Sequence, residues 1–149
     1  MILKRMKRRH NSKDVFEFVE HCKKIREDVS FGADIIAGFP TETDEMFDNT
    51  YRLLKKNEIS HLHIFPFSPK NNTPASRMPQ VSKLIIKKRA KNLRELGELI
   101  LKKVKSKLSL PREVLIEELN LGLAVGYDQN YIKHKVPLVG VPVGEIVRI

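Results

Sequence analysis

The spacing of apolar and polar positions changes several times along this chain, and each change marks an element. From Ser12 onward, Val15, Phe16, Val19, Cys22 and Ile25 recur at helical spacing behind Asp14 and Glu17. That spacing predicts a helix of roughly sixteen residues. A short apolar run follows in GADIIAGFPTET, residues 32–43, where Ala33, Ile35, Ile36 and Ala37 enclose one acid, Asp34, that reads as buried. β-Branched residues closed by Gly38-Phe39-Pro40 argue for a strand. Thr41 to Glu45 then supplies a cap and first-turn carboxylates for a helix from about Glu42 to Asn57, striped by Met46, Phe47, Thr50, Leu53 and Leu54. The carboxyl end of such a strand is where α/β folds hold ligands, although a well-capped turn alone explains the same pattern.

Ile59 to Phe67 alternates and then runs apolar, a second strand with His61 and His63 on one face. Two histidines without a third ligand nearby suit hydrogen bonding near a cleft better than metal binding. Ser68 to Gln80 is a long loop with three prolines and the turn pair Asn71-Asn72. The longest helical pattern runs from about Ser82 to Leu108, with Ile86, Ala90, Leu93, Gly97, Ile100 and Val104 on one side. From Glu113 the pattern breaks into short β-rich runs (Val114 to Ile116, Gly122 to Val125, Tyr131 to Val136, Glu145 to Ile149) separated by glycine, proline and Asp128. A small β unit, a barrel appended to the α/β part, is the expectation.

Charge sharpens this outline. A chain of 149 residues with a formal charge of +10 favours a polyanionic partner, most simply RNA or DNA. The long helix holds ten cations against two acids, among them Lys87, Lys88 and Arg89. Either a solvated face or a phosphate-facing helix accounts for them. Lys4, Arg5, Lys7, Arg8 and Arg9 form a second basic cluster, again either solvated or turned to phosphate or carboxylate. In the β unit, Tyr127 and Tyr131 with Lys133 and Lys135 offer rings and cations to RNA, or else are core tyrosines beside solvated lysines. The single cysteine, Cys22, excludes an internal disulfide and fits a reducing compartment. It also excludes a metal or iron–sulfur site built from several thiolates of this chain. No apolar run of about eighteen residues exists to span a bilayer, and the basic start has no apolar continuation of the kind a secretory signal needs.

Four stretches together resemble the radical S-adenosylmethionine tRNA methylthiotransferases. LKRMKRRH (3–10), with Met6 and Arg8, is similar to the family's basic segment after its fourth barrel strand. GADIIAGFPTET is similar to its fifth strand and turn, and SHLHIFPFSPKNNTPASRMPQV (60–81) to its sixth strand and loop. GYDQNYIKHKVP (126–137) with VGEIVRI (143–149) resembles its RNA-binding TRAM tail. SHLHIFPFSP with MPQV looks closest to the branch acting on threonylcarbamoyl-adenosine beside the anticodon. Thr41 stands where the family usually has Gly, Lys70-Asn71-Asn72 where it has Arg-Pro-Gly, and Phe67 where it has Tyr. Asn72 suits a left-handed turn, whereas Thr41 is strained if its φ is positive.

The resemblance implies an α/β fold: the last strands and helices of a radical-SAM (βα) barrel over 1–80, a basic connecting helix over 81–110, and a TRAM-like β unit over 111–149. It implies S-adenosylmethionine contacts at Arg8, Asp34, Ile36, Gly38 and Pro40, and tRNA contacts at Asn130, Tyr131, Lys133 and Lys135. The expected partner is the anticodon stem-loop of tRNA in the cytoplasm, where the family adds a methylthio group at adenine C2. In intact relatives a CxxxCxxC motif holds the 4Fe–4S cluster that cleaves S-adenosylmethionine and an N-terminal domain binds a second cluster; these residues include neither. The chain thus reads as a C-terminal fragment or split subunit, inactive alone and possibly paired with a separate chain carrying the N-terminal half. A free-standing RNA-binding module and a truncated product of a decayed gene are the alternatives.

Overall fold

A computed structural model describes residues 2–109, 111–137 and 140–149. Helix α1 is a single turn, Ile2–Arg5. Helix α2, Ser12–Ile25, starts at Asn11, whose side chain accepts from the Lys13 and Asp14 N–H groups while Asp14 accepts from the Asn11 N–H. This reciprocal pair satisfies donors that the first turn otherwise leaves unpartnered. Strand β1, Gly32–Ala37, leads through the turn at 38–43 into α3, Asp44–Asn57, capped by the Thr43 hydroxyl. Glu58 ends α3 in a left-handed conformation. Strand β2, His61–Pro66, is followed by the long loop, which contains a 3-10 turn at Pro74–Arg77. Asn72 has φ +63°, the left-handed turn expected of it. Helix α4, Lys83–Lys107, is capped by Ser82.

β1 and β2 pair in parallel, with Asp34 opposite His63 and Ile36 opposite Phe65. Because neighbouring residues point to opposite sides, one face of this pair carries Ala33, Ile35, Ala37, Leu62 and Ile64, which pack into the helices. The core there is built from Val19, Phe47, Leu54 and Ile59 together with Ala90, Leu93, Leu96 and Ile100 of α4. The long basic helix is therefore a structural layer of the α/β part and not merely a connection. The opposite face carries Asp34, Ile36, His63 and Phe65, and Phe65 is 53% exposed. Asp34, read as buried from its apolar neighbours, is exposed, because no layer covers this face among the described residues.

The remainder forms four antiparallel strands: β3 (Glu113–Asn120), β4 (Leu123–Asp128), β5 (Lys133–Val136) and β6 (Ile146–Arg148), in the order β5-β4-β3-β6. A register shift in β3 between Ile116 and Glu118 bends the sheet. Val114, Ile116 and Ala124 are its buried centre, flanked by Val141, Val147 and Ile149. So small a core needs polar reinforcement, which Asp128 provides.

Candidate functional site

Two clusters hold the residues with chemical potential. The first is the turn after β1. Gly38 has φ +76°, and a Cβ there would lie 2.4 Å from Cγ1 of Ile86, so only glycine lets α4 approach this closely. Its N–H donates to Glu42 Oε2 at 2.9 Å. Arg89 donates to the same oxygen at 2.8 Å and to the Glu42 carbonyl at 3.1 Å, while its other terminal nitrogen reaches Asp44 Oδ1 at 2.7 Å. The Arg89 guanidinium also stacks on Phe47, 5.5 Å from the ring centre. Burial pushes the Glu42 carboxyl up, more than the Gly38 N–H and Arg89 pull it back. Thr41 has φ +68°, a strained conformation for a β-branched residue, and its hydroxyl accepts from Arg5. Phe39 and Phe67 meet edge to face at 5.4 Å.

These contacts revise two expectations. Arg89, expected on the cationic outer face of α4, is 5% exposed and turned inward to Glu42 and Asp44, whereas Lys87 and Lys88 are exposed. Gly38 and Pro40 are buried within the turn, so of the expected cofactor contacts on this strand and turn only Asp34 and Ile36 lie on the open face. Arg8 is exposed after α1, and its neighbour Arg5 donates to the Thr41 hydroxyl. Helical periodicity alone gave no signal for Arg89; the acids at 42 and 44 were visible only as a cap.

The second cluster centres on Asp128, whose side chain is fully buried. Its carboxylate accepts from the Asn130 N–H (2.8 Å), the Ile132 N–H (3.0 Å) and Arg112 Nε (2.5 Å), and meets His134 Nε2 at 3.0 Å. Burial pushes its pKa up, but His134, the two N–H groups and Arg112 together hold it below the ordinary carboxylate value. Asn130, expected to touch RNA, is instead 2% exposed: its amide donates to the Asp28 carbonyl and to Ser30 Oγ, and its side-chain oxygen accepts from Arg112. Its backbone carbonyl meets His61 Nε2 at 2.9 Å. Asn130 thus fastens the β unit to the amino end of β2. Tyr131, next in the chain, is 75% exposed with φ +60°. Its ring lies 5.7 Å from that of Tyr127, and Lys133 Nζ sits 5.9 Å from the Tyr127 ring centre. Lys133 and Lys135 are exposed. The Asn130 junction and the Gly38 turn lie at opposite ends of the six-residue strands, roughly 17 Å apart along them at strand rise.

Cys22, the one cysteine, is half-buried on α2, and among the described residues no three His, Cys, Asp or Glu side chains gather to hold a metal. That donor set does not hold an iron–sulfur cluster. Among the described residues no helix is long and apolar enough to cross a membrane.

No family model matches the chain. Individual relatives are clear, however. A threonylcarbamoyladenosine tRNA methylthiotransferase, MtaB, of Rickettsia prowazekii is 49% identical over 141 residues, covering 91% of this chain and 32% of that protein. Over these residues the chain is homologous to tRNA methylthiotransferases. The MtaB of Thermotoga maritima is 40% identical over 153 residues, covering 97% of the chain and 33% of the relative. A tRNA-2-methylthio-N(6)-dimethylallyladenosine synthase of Ehrlichia canis is 38% identical over 96 residues, covering 64% and 22%. The chain spans about a third of the length of the curated relatives it matches.

Proposed function

We propose that this chain is the C-terminal part of a tRNA methylthiotransferase, supplying one wall of the S-adenosylmethionine site and a surface for the anticodon stem-loop. The observation that carries the reading is the bare face of β1 and β2. Asp34, His63 and Phe65 stand exposed, with Ile36 half-buried among them, on a two-stranded parallel pair. Parallel sheets normally have both faces covered, so this face suits packing against a further layer of polypeptide. In this reading residues 1–80 are the end of a radical-SAM barrel, 81–110 the basic helix and 111–149 a TRAM-like unit. The remaining barrel strands and the thiolates for iron belong to another stretch of polypeptide, in the same protein or in a companion chain. S-adenosylmethionine supplies the methyl group in such chemistry, and Asp34 and Ile36 would form one side of its site. Lys87, Lys88, Tyr131, Lys133 and Lys135 are the exposed residues offered to tRNA in the cytoplasm, with methylthiolation at C2 of the modified adenosine beside the anticodon as the reaction.

Residues 1–149 alone should bind tRNA without modifying it. Incubation with tRNA, iron, sulfide, reductant and S-adenosylmethionine is expected to give no methylthio-adenosine by mass spectrometry of digested nucleosides. Product formation would overturn the reading. A second reading, an RNA-binding module without chemistry, is favoured by the exposed cations of α4 and β5. Salt-sensitive tRNA affinity that survives deletion of residues 1–80 would support it.

A further inference from the structure

We propose that the outer face of the four-stranded sheet is a stacking platform for unpaired nucleobases, centred on Tyr131 and Tyr127 and extended by Leu115 and Ile146. The inference rests on the RNA-binding reading and names which form of RNA this surface takes. Cross-strand partners place Lys133 beside Tyr127, Tyr127 beside Leu115, and Leu115 beside Ile146. Residues directly opposite each other share a face, so one row crosses all four strands. The buried centre, Val114, Ile116 and Ala124, belongs to the other face. Leu115 is 41% exposed and Ile146 64% exposed, so this apolar row is open to solvent.

Cations flank the row on both sides. Lys133 and Lys135 stand on β5, and Arg148 stands two residues beyond Ile146 on β6, all exposed. Glu113 is opposite Arg148 in the adjacent row and tempers that side, so β5 is the stronger phosphate edge. An apolar and aromatic strip between cations suits a chain whose charges run outside its bases. A base-paired helix conceals its base faces and offers only phosphates and ribose to such a surface.

Tyr131 gives the strongest evidence. An exposed ring on a residue with positive φ is costly, and such strain persists only where the surroundings enforce it. Here they do. The Tyr131 N–H donates to the Asp128 carbonyl at 2.9 Å, and the Asp128 carboxylate grips the N–H groups on either side of Tyr131. The turn therefore holds the ring out beside Tyr127 while Asp128, Asn130 and Ile132 are buried. With Tyr131 75% exposed, its ring is open to a stacking base beside Tyr127.

The test uses the full chain with two fluorescent probes, a twelve-nucleotide oligouridine and a blunt RNA duplex of equal length. Anisotropy reports affinity, and tyrosine emission, unmasked because the chain has no tryptophan, reports stacking. The single strand is expected to bind more tightly and to quench tyrosine emission. Tyr131→Asn, chosen because Asn tolerates positive φ, should weaken oligouridine binding about tenfold while leaving duplex binding unchanged, and Tyr131→Phe should restore it. Equal affinity for both probes, with Tyr131→Asn neutral, overturns the platform and leaves RNA binding standing. No binding of either probe, nor of tRNA, overturns the RNA reading and the platform with it.

Discussion

Replacing Asp128 tests how the small β unit stays folded. Its carboxylate is fully buried and faces Arg112, His134 and two backbone N–H groups. Asp128→Ala leaves the Arg112 guanidinium, itself 7% exposed, without its carboxylate. Removing one partner of a buried ion pair costs about 3–5 kcal/mol, because the remaining charge stays desolvated. Among the described residues its apolar centre is the small cluster Val114, Ile116 and Ala124, and units of this size rarely hold more than about 3–5 kcal/mol. The variant should therefore lose the β unit outright, while Asp128→Asn, which keeps an acceptor for the two N–H groups, should lose about half as much. Urea titration followed by tyrosine emission and circular dichroism reads both. The same carboxylate carries a pH signature. Its folded pKa lies below its unfolded value, so its contribution is present above about pH 4 and is lost as pH falls through the folded value. The wild-type chain should lose stability on acidification, and Asp128→Ala should not show that component. A loss under about 1 kcal/mol for Asp128→Ala would refute the reasoning.

Other changes separate the roles of neighbouring residues. Thr41→Gly removes a positive-φ strain at the loss of one hydroxyl contact with Arg5, and should stabilise the chain by about 1 kcal/mol, read as a raised Tm. Arg89→Met should cost about 3 kcal/mol or more by stranding Glu42, whereas Lys87→Glu with Lys88→Glu should weaken RNA binding and leave the melting curve unchanged. Glu58, drawn down to about 2 chiefly by its bond from Lys107, with Lys103 adding, ties the end of α4 to the end of α3. Its contribution is present above its unfolded pKa and is lost as pH falls toward 2. Glu58→Gln should therefore remove about 1 kcal/mol or less at pH 7 and flatten that part of the acid limb.

Much of the fold was legible in the spacing of residues. The cap within Thr41 to Glu45, the strand at 32–37 and the α4 stripe are local signals, and each of these elements formed within a few residues of its expected bounds. Burial was less legible, because it depends on what covers a face. Asp34 sits among apolar neighbours, yet they point to the helices while it points to an open side. Arg89 looked like one more cation on a basic helix, and only tertiary structure brings Glu42 and Asp44 to it. Asn130 looked like an RNA contact; its partners Asp28, Ser30 and His61 lie far away in sequence and are gathered only by docking of the β unit. Tyr131 was legible as a ring beside cations, with a core position equally open; its exposure and positive φ were not legible.

The most direct test of the central claim is a graft. Residues 1–149 would replace the matching third of the Rickettsia prowazekii relative, and tRNA treated with the reconstituted chimaera would be digested and analysed for methylthiolated adenosine. The account predicts product from the chimaera, loss of product when Asp34 is changed to Ala within it, and none from residues 1–149 alone. A chimaera that folds and binds tRNA but forms no product, or product from residues 1–149 alone, would contradict it.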